Sequence, residues 1–158
     1  MRWLLWFLLL PQAFLVAGFW RDAGLPPLDV AVLLCLFLAF FADRSALPWL
    51  LLGAALGRAM VDEASLPVQL LVLGVPTAAL LPLRSLFFGQ HWLWQAIAAA
   101  VCAVAVPRLA GLCGRLFDQP SASAQLDGLA VLWAALLLPP MLAILRRLPP
   151  FRAFEEAT

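Results

Sequence analysis

Charge is scarce in this chain. Asp, Glu, Lys and Arg together make up only 12% of its 158 residues, against roughly 25% in an ordinary soluble domain. With 65% hydrophobic residues and a mean hydropathy of +0.99, so little charge excludes a water-soluble globule and leaves an integral membrane protein. Lysine and tyrosine are absent, and all ten basic residues are arginine. The net charge is +1 and no basic stripe runs along any segment, which excludes a nucleic-acid partner, because nothing is arrayed to neutralise phosphates. Cysteine offers no framework either. Cys35, Cys102 and Cys113 have no disulfide-like or metal-like spacing, so they read as small apolar residues.

The groups that catalysis needs are equally thin. The one histidine, His91, stands between Gln90 and Trp92 at a predicted membrane interface, with no acid, thiol or hydroxyl nearby to make it a base. There is no HExxH, no GxSxG and no pair of carboxylates inside an apolar run. Ser45, Ser65 and Ser85 fall in turns, where capping is their usual work. No catalytic residue, metal ligand or cofactor is expected, and the chain reads as a non-enzyme.

What the chain does have is apolar runs, continuous rather than alternating, which means helices and not a barrel. Six are expected to span: 3–20, 28–42, 47–61, 66–83, 92–106 and 128–145. The fold class is therefore all-α, a compact membrane bundle, and the chain is too short to add a separate soluble domain to it. The first run, with Trp3 and Trp20 at its ends and Pro11 inside, is longer than a signal-peptide core and reads as a retained helix. Runs 28–42 and 47–61 fall short of the roughly 20 residues that cross a bilayer upright. They are short spans or a re-entrant pair. Interfacial Trp49 and the charged turn Asp43-Arg44-Ser45 favour spans. Pro107 to Asp127 reads as the longest connection. Six spans put both termini on one side together with Arg2, Arg44, Arg84, Arg146, Arg147 and Arg152. Setting Arg58 aside, Arg21, Arg108 and Arg115 lie opposite, six against three, so both termini are expected in the cytoplasm.

Pro48 to Ser65 stands out as the stretch around which the rest is arranged. Gly53 and Gly57 form a small-xxx-small step that lets a second helix approach closely. Arg58 follows inside the apolar run, four residues before Asp62 and on the same helical face. A charge within a membrane segment is a functional candidate by default. The plainer reading is that Arg58 snorkels to headgroups or pairs locally with Asp62. Gly53, Gly57, Arg58 and Asp62 are thus candidates for helix packing or a partner interface.

The order of features resembles MreD, the small membrane subunit of the bacterial rod-shape (elongation) complex. The likeness is carried by Pro27-Leu28-Asp29 at the start of the second run, the turn Asp43-Arg44, and Gly53 and Gly57 with Asp62. Ala64-Ser65-Leu66-Pro67, and Pro139-Pro140 followed by Arg146-Arg147, complete it. The sequence departs from the family's pattern where Leu28 intervenes between Pro27 and Asp29, where Asp62 lies five residues after Gly57, and where Arg58 stands at a position more often apolar. The resemblance implies a non-enzymatic scaffold in the bacterial inner membrane, in contact with lipid, that binds the bitopic protein MreC and helps organise peptidoglycan synthesis. It also implies a fold similar to the substrate-binding components of energy-coupling-factor vitamin transporters. That second family supplies the competing function, a small-molecule carrier subunit, for which Arg58, Asp62 and Gln69 are the few polar candidates.

Overall fold

The computed structural model describes residues 2–23, 29–85, 92–119 and 128–147. Pro27, Leu28 and His91 lie outside the described residues. Every regular element among them is helical: α1 (Arg2–Asp22), α2 (Val30–Phe40), α3 (Leu47–Ala59), α4 (Leu66–Leu80) with a 3-10 extension (Leu81–Ser85), α5 (Trp92–Leu116) and α6 (Gly128–Leu145). Three stretches are long and apolar enough to cross a bilayer: Trp3–Trp20, Leu66–Arg84 and Trp92–Leu116. The chain is a helical membrane protein.

The centre of the bundle is α2. Every residue from Val30 to Ala39 is buried, and α4, α5, α6, α3, the 3-10 extension and α1 all pack on it. No polar side chain occurs between Asp29 and Asp43, and a helix that is apolar all round is a buried one. At 11 residues α2 is about 16 Å long, roughly half the hydrocarbon thickness. Asp29 starts it as an N-cap, its carboxylate accepting from the backbone N–H of Ala31 at 3.0 Å and of Val32 at 3.3 Å. Two of the four donors that a helix N-terminus leaves unpaired are satisfied this way.

Around α2 the other helices are fitted in different ways. Pro48 and Pro67 sit in the first turns of α3 and α4, where a missing N–H costs nothing. Pro11, Pro76, Pro107 and the pair Pro139-Pro140 lie inside helices, which neighbouring helices make tolerable in a membrane. Pro107 corrects the expected end of the fifth segment at 106. The helix runs on to Leu116, because the apolar pattern continues past the proline and buries Cys113 and Gly114. Gln119 N–H then closes the end on the Gly114 carbonyl at 2.9 Å, with Asp118 in the left-handed region at φ 54°. The connection after α5 is correspondingly shorter than the sequence suggests.

The outermost helix is α1, in which Trp6 and Leu10 are the buried residues among those whose burial is described. It leans chiefly on α3 and touches α2 lightly. Between α1 and the end of α6 it leaves an apolar groove of about 480 Å³ floored by Val30, Leu33 and Leu34 of α2.

Candidate functional site

The sequence candidates divide between two places. Gly53 and Gly57 lie against α1, where their lack of a side chain is used within the chain. A Cβ on Gly53 would sit 2.7 Å from Trp6 Nε1 and 3.0 Å from the Phe7 ring. On Gly57 it would sit 3.0 Å from Leu10 Cβ and 3.2 Å from the backbone nitrogen of Pro11. α3 therefore seats its two glycines on successive turns of α1, the second of which bears Pro11. Trp6, buried by this approach, donates its indole N–H to the Leu50 carbonyl of α3 at 3.3 Å, and its ring lies 6.3 Å from that of Phe37.

Arg58, Asp62 and Gln69 converge at the α3–α4 connection. α3 ends at Ala59, so Arg58 occupies its last turn, where a cation suits the helix C-terminus. Its Nε lies 3.5 Å from Asp62 Oδ2, and the Gln69 side-chain amide donates to the same oxygen at 3.1 Å. Gln69 is almost wholly buried, whereas the Arg58 and Asp62 side chains are 18% and 39% exposed. Arg58 Nη1 is buried and has no hydrogen-bond partner among the described residues. The neighbouring turn is tied to α5, because Ser65 N–H donates to Gln119 Oε1 at 2.7 Å. Ser65, at the N-cap position of α4, uses its backbone here and makes no side-chain cap. At this exposure the ion pair alone contributes no more than about 0.5 kcal/mol. The buried Gln69 amide is the costlier group to leave without a partner.

Two arrangements escaped the sequence reading. Arg84 is buried at the opposite end of the bundle and donates from Nη1 to the Ala42 carbonyl at 2.8 Å, while the Arg146 guanidinium lies 4.1 Å above the centre of the Phe41 ring. Two cations thereby close over the C-terminal end of α2, where its carbonyls carry partial negative charge. The only sequence hint was an arginine directly after an apolar run. In the core, Cys35 Sγ and Thr77 Oγ1 both meet the Leu73 carbonyl, at 3.6 and 2.7 Å, in the turn that Pro76 disturbs. All three cysteines are free and buried, and no group of three metal-ligating side chains occurs among the described residues.

No family model, curated protein or solved structure matches this chain. Whatever function is assigned must therefore rest on the residues and their arrangement.

Proposed function

We propose that the chain is a non-enzymatic scaffold subunit of the bacterial elongation machinery, an MreD-like protein of the inner membrane. In this reading all six helices lie in the bilayer, both termini face the cytoplasm, and the working partner is an MreC-like bitopic protein. The observation that carries it is the series from Asp29 to Pro67, together with what those residues do. Asp29 caps the central helix, Gly53 and Gly57 seat α3 on α1, Asp62 holds Gln69, and Pro67 opens α4. Asp29, Gly53, Gly57, Asp62 and Pro67, the part of the likeness that falls within α1–α4, are thus joints of that unit. A protein so nearly confined to its helices acts through their outer faces and short loops. The shortness of α2 and α3 is compatible with six spans, since an encased helix needs no lipid along its length and the bilayer can thin locally.

The convergence of Arg58, Asp62 and Gln69 supports the second reading, a small-molecule carrier subunit, because a binding pocket needs grouped polar side chains. Purification in mild detergent followed by mass spectrometry separates the two. An MreC-like membrane protein recovered in stoichiometric amount is the expected result. A small ligand recovered with an ATPase module, and no bitopic protein, overturns the scaffold reading.

A further inference from the structure

The face of α1 that looks away from the bundle carries a polar residue where a membrane protein can least leave one. Trp6 and Leu10 hold the helix to α3. On the opposite side Leu5, Leu8, Gln12, Leu15 and Phe19 are all exposed and follow one another in steps of three and four. Gln12 lies nine residues from Trp3 and eight from Trp20 in the apolar stretch they bound, about 13 Å from either end. The groove beside it exposes almost no polar surface, so the amide does not turn into it. The amide makes no hydrogen bond among the described residues either. Glutamine is too short to snorkel to the headgroups as arginine does, and an amide without a partner in hydrocarbon is strongly disfavoured.

We infer that this face pairs with the same face of a second copy, the two α1 helices lying parallel with their Gln12 amides hydrogen-bonded to each other. Copies of one chain insert with the same orientation, so a two-fold axis relating them runs along the membrane normal. Such an axis uses one surface twice and sets each residue of the stripe against its own counterpart at the same depth. An amide carries both donors and an acceptor, so Gln12 is complementary to itself, whereas an acyl chain offers neither group. The spacing agrees with this partner. Alternating steps of three and four average about 3.5 residues, the repeat that keeps one seam of a helix against a parallel neighbour. In that packing a single polar residue within an apolar seam fixes register and the number of strands. Amide side chains that bond across helices are a usual fastening in membranes. The groove plays no part, because Leu9, Ala13 and Val16, which line it, lie off the stripe.

The pairing requires only that α1 crosses the bilayer, so it stands or falls apart from the scaffold reading. Its test introduces single cysteines into the full chain, Leu8→Cys, Leu15→Cys and Phe19→Cys on the stripe, and oxidises native membranes. Each should give a disulfide-linked dimer joined at the same position in both copies. Val16→Cys and Leu136→Cys, at exposed sites off the stripe, should give far less. The parent should give none, since its own three cysteines are buried. Energy transfer between differently labelled copies in liposomes then measures the association constant. Gln12→Leu should lower it about threefold, the factor carried by an average interhelical hydrogen bond, and Gln12→Asn should restore part of the loss. Because the Gln12 side chain is exposed and bonds nothing within the chain, neither change disturbs the packing of the single copy. Stripe cysteines that join no better than Val16→Cys and Leu136→Cys overturn the inference. So does a stripe joined to a different protein and not to a second copy, or a Gln12→Leu association constant equal to the parent's.

Discussion

Replacing Gly53 with alanine adds one methyl group and should unseat α1. The new carbon would stand 2.7 Å from Trp6 Nε1 and 2.9 Å from Cδ1, closer than such atoms come, so the indole must move. Movement stretches the 3.3 Å hydrogen bond from Trp6 to the Leu50 carbonyl, already long. Overpacking of this kind costs about 1–3 kcal/mol, and a hydrogen bond between membrane helices adds about 0.6 kcal/mol. Alanine returns up to ~1 kcal/mol through its better helix propensity. With the full return, the expected net loss is about 0.6–2.6 kcal/mol, measured by reversible unfolding in mixed micelles. In a Trp6→Phe background the smaller ring has room and no N–H to lose, so Gly53→Ala should cost much less there. The double-mutant cycle should show a coupling of about 1 kcal/mol or more. Gly18→Ala is the control, since a Cβ there meets nothing within 4 Å. A parent-like Gly53→Ala, or a cycle additive within about 0.3 kcal/mol, would refute the proposed seating of α3 on α1.

Other expectations follow from the remaining joints. Asp29→Ala should destabilise the protein by about 1 kcal/mol, because two N–H groups of the central helix lose their acceptor, and Asp29→Asn should lose less. Arg58→Leu should change stability by no more than about 0.5 kcal/mol. Asp62→Ala should cost about 1–3 kcal/mol, because it strands the buried Gln69 amide; equal effects of the two would show that the ion pair, not the amide, matters. Reporter fusions after Arg44 and after Thr158 should both read cytoplasm and one after Gln119 the outside. A periplasmic C-terminus would remove the six-span arrangement.

Class and element order were legible because apolar runs and turn residues are local signals. Asp29, Pro48 and Pro67 mark the starts of α2, α3 and α4 in the sequence as they do in the structure. The end of α5 was misread at Pro107, since a proline that stops a soluble helix is carried through when the apolar pattern resumes beyond it, here after Arg108. Centrality was harder to see. In water a helix declares its inner face by leaving the other face polar, but in lipid both faces are apolar and the pattern falls silent. Pro48–Ser65 drew attention through its charges, yet the helix everything packs on is α2, whose only signal is the absence of any polar side chain. Arg84 was hidden for a related reason. Its covering, the end of α2, lies more than forty residues away in sequence, and no local pattern encodes that.

The shortness of α2 bears on how the bundle is assembled. Between membrane helices there is no water to expel, so the force that collapses a soluble core is missing. In the proposed bundle α2 enters the bilayer second, before α4, α5 and α6 exist to surround it. Alone, it is about 14 Å shorter than the hydrocarbon layer, and the surrounding lipid must thin or its ends must be dragged inward. At fractions of a kcal/mol per ångström this strain amounts to several kcal/mol, and it vanishes once protein replaces lipid along the helix. Mismatch with the solvent would then do for this protein what the hydrophobic effect does for a soluble one: it makes the central segment the one least content to stay outside, and draws the later helices in around it.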